Sequence, residues 1–338
     1  MSKDTTIPPP ENIVAYETAD GVEGGALYLY GNPDASNIVV CCAGYPDDHS
    51  IFQPFASRLA NEGECLVGVM CLPGFDDRKE KPWRTHKKDG YSFDEMAISV
   101  RGAVKALRGA STCKDAKFTS IFHDWGVLIG SIWINRVLEE EESPELQPDQ
   151  VVHFDVLLQP HKVMLDDLPD APKKRLYRIV VEMVYKIVLA CGFLLHQYVS
   201  EFLAVIFFNI GGAALDITYL KPLHGLDVKV LRANKKSVNR CLYMAYPYWY
   251  LIEMIFQGSI FNDDISIHKD LKKTPLLYMY GAYKRAHFHN NVSLALLERE
   301  EREGRSKTKV VRLEDDGHFF YVTNEDVCLE AVISFIKD

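Results

Sequence analysis

No two cysteines in this sequence stand at CxxC spacing, and none has a histidine or carboxylate at the spacing of a metal-ligand set. Neither a structural zinc nor a CxxC redox centre is therefore expected. The eight cysteines are single or form the pair Cys41–Cys42; five of them, Cys41, Cys42, Cys71, Cys191 and Cys328, sit in apolar stretches. Buried, reduced thiols in a reducing compartment are the reading. Positive charge is also scarce: 38 Lys and Arg against 47 Asp and Glu give a net charge of -9. That excludes the dense cationic surface a nucleic-acid partner requires. The short basic run Arg232–Lys236 reads as a solvated face. The opening MSKDTTIPPPEN has no apolar core of a secretory leader, so the expected location is cytoplasmic.

An uninterrupted membrane span is missing as well. Ile187–Ser200 and Phe202–Leu215 are uncharged, but Glu201 divides them, and a carboxylate in mid-bilayer is costly. Two buried or lid helices are expected here, with peripheral contact to a lipid surface as the alternative. There is no internal repeat and no low-complexity segment.

What remains is an ordinary globular composition, 47% hydrophobic and 25% charged over 338 residues. Ile13–Tyr16 and Ala26–Tyr30 alternate around glycines and predict an antiparallel opening hairpin. Ser36–Cys42, Cys65–Cys71, Lys117–Phe122 and Val151–Leu158 are continuous apolar runs of the kind that form buried strands. Helical patterns separate them at Gln53–Glu62, at Tyr91–Arg108 with a Ser92/Glu95 capping box, and at Gly126–Glu140. Alternation stops near residue 161 and resumes near 271 with strand Pro275–Tyr280, helix Asn291–Glu303, strand Lys309–Leu313 and helix Asn324–Lys337. The expected architecture is a mostly parallel sheet with helices on both faces, built from residues 1–160 and 271–338. A helical cap of residues 161–270 is inserted between two strands.

The strongest chemical signal lies in FTSIFHDWGVLIGSIWINR. A strand runs directly into His123–Asp124–Trp125–Gly126 and then a helix, which puts Asp124 at the tip of a tight turn facing a helix N-terminus. A plain helix N-cap is the alternative role for this Asp. The segment HDWG resembles the nucleophile elbow of the Asp-nucleophile branch of the α/β-hydrolase superfamily, the epoxide hydrolases and dehalogenases. Phe122 stands where that family often has a small residue. CAGYPDD (Cys42–Asp48) resembles the family's HGxP oxyanion loop with Ala43 in place of His, and LPGFDDR (Leu72–Arg78) resembles its next loop. The resemblance spans about residues 25–337 and implies an oxyanion hole made by the backbone N–H groups of Tyr45 and Trp125.

Gly317–His318, after a strand and before the last helix, stands where this fold keeps its catalytic histidine. The orienting acid is less direct, because the family's Gly-x-x-Asp after the strand PLLYMYG reads Gly281–Ala282–Tyr283–Lys284. Some dehalogenases place the acid at the end of the strand before the cap. Asp155 in VVHFDVLLQP occupies that place, and an Asp inside an apolar strand calls for a partner. An outward-facing edge position for Asp155 stays open, with Asp315 and Asp316 as fallback acids.

The resemblance implies a hydrolase that forms a covalent ester on Asp124 and hydrolyses it with water activated by His318, on a small to medium apolar substrate, without metal or cofactor. Tyr246, Trp249 and Tyr250 are the substrate-binding candidates. An epoxide needs phenol donors for its alkoxide, and the cap holds Tyr177, Tyr185, Tyr198, Tyr219, Tyr243, Tyr246, Tyr248 and Tyr250. A dehalogenase, and a hydrolase fold that binds or meets lipid without catalysing, are the alternatives.

Overall fold

The opening hairpin pairing is present: β1 (Asn12–Glu17) pairs antiparallel with β2 (Glu23–Tyr30). The computed structural model describes residues 9–19, 23–76, 89–140, 143–160, 176–215, 238–258, 265–283, 288–289 and 291–338. The apolar runs that follow are β3 (Asn37–Cys42), β4 (Cys65–Met70), β5 (Lys117–His123) and β6 (Gln150–Phe154), nearly every residue of them buried. Continuous burial is what strands covered on both faces require, and it explains the absence of polar alternation.

The strand Val151–Leu158 is interrupted. Asp155 takes φ 67°, a left-handed conformation that Asp tolerates better than most residues, and separates β6 from a short β7 (Val156–Leu157). After the helical insert come β8 (Leu276–Gly281), β9 (Phe288–His289) and β10 (Lys309–Leu313). Among the described residues, eight strands form one sheet in the order β1-β2-β4-β3-β5-β6-β8-β10, and β7 pairs with β9 separately. Every strand of the large sheet from β4 to β10 lies parallel to its neighbour; β2 alone runs against the strands beside it.

Helix α1 (Gln53–Glu62) covers β4 on one face, beside the C-terminal helix. Helices α2 (Phe93–Ala110) and α3 (Trp125–Glu139) pack on each other, with α2 against β1 and β2 and α3 against β5. The capping box of α2 is present: the Glu95 amide donates to Ser92 Oγ and the Ser92 amide to Glu95 Oε2. The insert contributes α4 (Leu176–Tyr198), α5 (Glu201–Leu215), α6 (Val238–Tyr243) and α7 (Tyr246–Gln257). Helices α8 (Asn291–Glu303), α9 (Phe320–Thr323) and α10 (Glu325–Lys337) complete the chain. Among the described residues no helix is long and apolar enough to cross a membrane. Cys41, Cys42, Cys71 and Cys328 are buried as expected, whereas Cys191 is exposed on α4.

One topological fact positions the site. β3 lies between β4 and β5, so the chain leaves β3 in one direction and returns on its other side. At such a reversal the loops after the two strands diverge and open a crevice at their carboxyl ends. The loop after β3 begins at Ala43, and the turn after β5 is Asp124.

The core also holds a histidine with an electrostatic consequence. His153 on β6 is 1% exposed, and neither of its ring nitrogens has a hydrogen-bond partner. Burial, reinforced by nearby His268, pulls its imidazole down to about 3. Its folded pKa therefore lies below the unfolded value of about 6.5, so the native state is penalised increasingly as pH falls below that value. Substituting His153→Leu should improve stability relative to wild type by about 2 kcal/mol on going from pH 7 to pH 5. Denaturant unfolding at the two pH values checks this, and parallel pH responses in the two proteins would refute it.

Candidate active site

The turn between β5 and α3 is strained by design of the sequence. Asp124 has φ 55° and ψ -124°, and its side chain makes no capping hydrogen bond to the helix it precedes. A non-glycine residue held there costs on the order of 1–3 kcal/mol, so the surrounding packing must enforce it. Two glycines make that packing fit. A Cβ on Gly126 would lie 2.4 Å from the Cys42 carbonyl oxygen, and one on Gly44 would lie 2.2 Å from Asp124 Oδ1. The backbone after β3 thus presses directly on the turn after β5.

This approach delivers amide donors. The Tyr45 amide donates to Asp124 Oδ1 at 2.9 Å, and the backbone amide of Trp125 favours the charged form of the carboxylate. The Asp124 side chain remains 20% exposed. That oxygen, Oδ2, is 3.6 Å from His318 Nε2. On the other side of the ring, His318 Nδ1 donates to Asp155 Oδ2 at 2.5 Å. Asp155 is fully buried; its amide donates to the Met279 carbonyl at 2.7 Å, which fixes the residue against β8. The left-handed backbone that breaks the strand is what turns this carboxylate out of the sheet plane toward the imidazole.

The electrostatics follow from that geometry. Burial opposes a charge on His318, but the carboxylates of Asp155 and Asp124 outweigh it and hold the imidazole at about 9. Burial likewise opposes the Asp124 carboxylate, yet the hydrogen bond and charge of His318, with the Trp125 amide, keep its pKa below the usual value. At neutral pH His318 is therefore held as the imidazolium between the two acidic side chains. The stabilisation His318 contributes is complete below its unfolded pKa of about 6.5 and is lost as pH rises through about 9.

Sequence reasoning did not single out His123, which supports this arrangement from behind. Its Nε2–H donates to the His318 carbonyl at 3.2 Å, and the Tyr321 hydroxyl donates to its Nδ1 at 3.2 Å. Burial, with His318 nearby, lowers its imidazole to about 3, so it serves as a neutral spacer 4.4 Å from the His318 ring. Its place directly before Asp124 was the available signal. Tyr278 was also missed. Its hydroxyl lies 3.3 Å from the Asp155 carbonyl and 2.8 Å from His289 Nδ1, beneath the acid.

The structure sets the aromatic candidates of the insert in different surroundings. Tyr246 is fully buried, donates its hydroxyl to the Pro73 carbonyl at 2.7 Å, and packs edge-on to Phe75 and Tyr91. It anchors α7 to the core. Tyr250, one helical turn on, lies beside the acidic start of α2; burial, then Glu95 and Asp89, raises its phenol to about 12. Trp249 is partly buried against the core. The residue of α7 that reaches the turn is Tyr248, with its ring edge-on to Trp125 at 4.9 Å and to Tyr45 at 5.1 Å. Its hydroxyl is 3.3 Å from that of Tyr185 on α4. Burial, Tyr185 and the Asp124 charge raise the Tyr248 phenol well above its usual value, so it stays protonated. Tyr177, Tyr219 and Lys284 have side chains outside the described residues. Asp316 accepts hydrogen bonds from Thr323 Oγ1 and Asn324 Nδ2, which ties it to the start of the last helices. Among the described residues no cluster of His, Cys, Asp or Glu could hold a metal ion.

No protein-family model matches the chain, and no curated protein matches it in sequence. Solved structures do. An epoxide hydrolase from Vigna radiata is 15% identical over 96% of this chain and 97% of its own, with a TM-score of 0.56. A haloalkane dehalogenase loop variant from Bradyrhizobium elkanii is 14% identical over 96% and 97%, with a TM-score of 0.57. A thermophilic esterase from Thermogutta terrifontis is 13% identical over 96% and 98%, with a TM-score of 0.60. The chain has the α/β-hydrolase fold. In this fold the eight-stranded sheet, the helical insert before β8 and the reversal at β3 and β5 are accounted for together, and likeness at this identity speaks for the fold alone.

Proposed function

We propose that this chain is a hydrolase in which Asp124 attacks an electrophilic carbon and His318 activates the water that releases the product, with an epoxide as the favoured substrate. The observation that carries the reading is the line of contacts from the Tyr45 amide through Asp124 and His318 to Asp155. The structural likeness to an epoxide hydrolase and a haloalkane dehalogenase is in keeping with it.

The geometry supports a two-step route. Asp124 Oδ1 is engaged by the Tyr45 amide, which leaves Oδ2 to attack the ring carbon. The carbon–oxygen bond of the epoxide breaks, and the departing alkoxide takes a proton from a phenol of the Tyr185–Tyr248 pair. The product is an ester on Asp124 and a free hydroxyl. Esterification abolishes the Asp124 charge, one of the two that hold His318 at about 9. The imidazole pKa then falls, the imidazolium gives its Nε2 proton to the phenolate, and the freed Nε2 accepts a proton from water as that water adds to the ester carbonyl. Oxygen charge at that carbonyl builds where the Tyr45 and Trp125 amides point, and one such donor is typically worth about 3 kcal/mol of barrier. Collapse of the adduct, with the proton of its new hydroxyl passing to the departing alkoxide, expels the diol and restores the Asp124 carboxylate, while His318 is left as the imidazolium it began as. A serine at this position would give an inert ether from an alkyl carbon, so the carboxylate is the group that suits the chemistry.

Two phenols meeting beside the turn that carries Asp124 favour epoxide over halide. A halide needs N–H donors; the Trp125 indole is one, but Tyr45 stands where a second donor would come from the oxyanion loop. The Tyr185→Phe/Tyr248→Phe double variant should therefore lose about 10²- to 10⁴-fold in kcat on a styrene-oxide-like epoxide. It should keep whatever turnover the wild type shows on a primary alkyl bromide. Diol formation at wild-type rate in the double variant would remove the phenols from the mechanism. A substantial loss on the bromide instead would favour the dehalogenase reading.

A further inference from the structure

The described helices of the insert pack chiefly on one another: α4 against α5, α6 and α7, and α5 against α6. The phenols of Tyr185 and Tyr248 belong to this layer, whereas Asp124, His318 and the Tyr45 amide belong to the sheet and its loops. Donor and nucleophile can act on one substrate only if these two parts keep a fixed register, because reacting groups tolerate little misplacement. Side chains of α6 and α7 that reach loops of the core supply that register.

Tyr246 of α7 is one of them, through its bond to the Pro73 carbonyl. Arg240 of α6 does more, because it meets two loops at once. Its Nη2 donates to the Phe75 carbonyl at 2.6 Å, in the loop after β4, and lies 3.7 Å from Asp48 Oδ2, in the loop after β3. The Asp48 side chain is 2% exposed and that of Arg240 23%, so water and salt screen their attraction far less than that of a surface pair. Asp48 is itself fixed, since its Oδ1 accepts from the Ser50 amide at 2.9 Å and from Ser50 Oγ. The two loops are joined to each other where the His49 amide donates to Cys71 Sγ at 3.1 Å. The loop after β3 is also the one whose Tyr45 amide holds Asp124 Oδ1. On the insert side, Arg240 stands at the root of α7. Its carbonyl accepts from the Met244 amide at 2.9 Å, and the Ala245 amide donates to the Leu242 carbonyl at 3.2 Å, so α6 runs into α7 through a hydrogen-bonded turn. Tyr248 follows within the first turn of α7.

We propose that Arg240 is a positioning residue of this site, which clasps the insert to the loops after β3 and β4 and so sets the reach from the Tyr185–Tyr248 phenols to a substrate on Asp124. In the hydrolase reading on which this rests, ring opening needs the phenols, whereas hydrolysis of the ester works with groups of the core alone. Loss of the clasp therefore slows the first step and spares the second.

Rapid-quench mass spectrometry of the Asp124 ester, in single turnovers of a styrene-oxide-like epoxide, measures both steps. Arg240→Met keeps the aliphatic stem and removes the charge and the donors. It should slow ester formation by at least about thirtyfold and change ester decay by no more than about threefold. Any other pattern, equal slowing of the two steps included, overturns the proposal. If circular dichroism shows that Arg240→Met does not fold, Asp48→Asn carries the same test from the core side: it keeps an acceptor for Ser50, removes the charge that faces Arg240, and should slow formation alone. Hydrogen–deuterium exchange needs no substrate and separates failure of the clasp from failure of the hydrolase reading. Peptides covering residues 238–257 should exchange at least about tenfold faster in the variant, with β3 and β5 unchanged. If the wild type forms no ester while exchange responds in this way, the hydrolase reading falls and the clasp stands. Exchange over α6 and α7 that does not change overturns the clasp whatever the chemistry.

Discussion

His318→Gln should stop the reaction halfway. Glutamine keeps a polar group of similar reach but cannot take a proton from water, so the ester on Asp124 should form and persist. Steady-state turnover of an epoxide should fall by at least about 10³-fold, the scale on which a member of a cooperating catalytic set is missed. Intact-protein mass spectrometry should show the chain heavier by one substrate molecule, in stoichiometric amount. The same variant separates the two half-reactions by pH. Alkylation depends on ionised Asp124, whose pKa is held low by His318 in the wild type; the hydrolytic step depends on neutral His318. A variant that turns over normally, or one that is inactive without any adduct, would contradict the assignment of His318 to the second step.

Asp155→Asn carries the second large effect. The carboxylate is fully buried, 2.5 Å from His318 Nδ1, and with Asp124 it supplies the charge that raises that ring to about 9. An amide of the same size keeps the packing but not the charge, and it can equally offer an N–H that forces the wrong tautomer on the ring. A loss of about 10³- to 10⁴-fold in kcat is expected, with the His318 titration moving toward lower pH. Asp316→Asn serves as the control, since that side chain is engaged by Thr323 and Asn324. It should change turnover by no more than a few-fold. Equal losses in the two variants, or none at Asp155, would return the orienting role to the residues next to His318.

The residues that could be found from sequence are those whose chemistry conflicts with their local setting. Asp124 between a buried strand and an apolar helix, and Asp155 inside VVHFDVLLQP, each place a carboxylate where burial is costly, and both prove to have positive φ and a histidine partner. The strands were legible for the reverse reason: continuous apolar runs such as Ile38–Cys42 have no other place than the middle of a sheet. The choice among the insert's aromatics was not legible. Tyr246 and Tyr248 are two residues apart, about 200° around a helix, so one must face away from the other. Only the docking of α7 decides that Tyr246 turns to Phe75 and Tyr91 while Tyr248 turns to Trp125. Its partner Tyr185 comes from a different helix, a meeting that no local pattern encodes. The left-handed break at Asp155 and the pairing of β7 with β9 were hidden in the same way, by an apolar stretch that reads as one strand.

The central claim is that Asp124 itself becomes bonded to the substrate, and its oxygens record whether this happens. In a single turnover of a styrene-oxide-like epoxide, with enzyme in excess and heavy-oxygen water as solvent, the peptide containing Asp124 should gain one labelled oxygen. The diol of that first turnover should carry an oxygen that came from the protein. Label in the diol with none in Asp124 would mean that water attacks the substrate directly, and the covalent mechanism would be wrong.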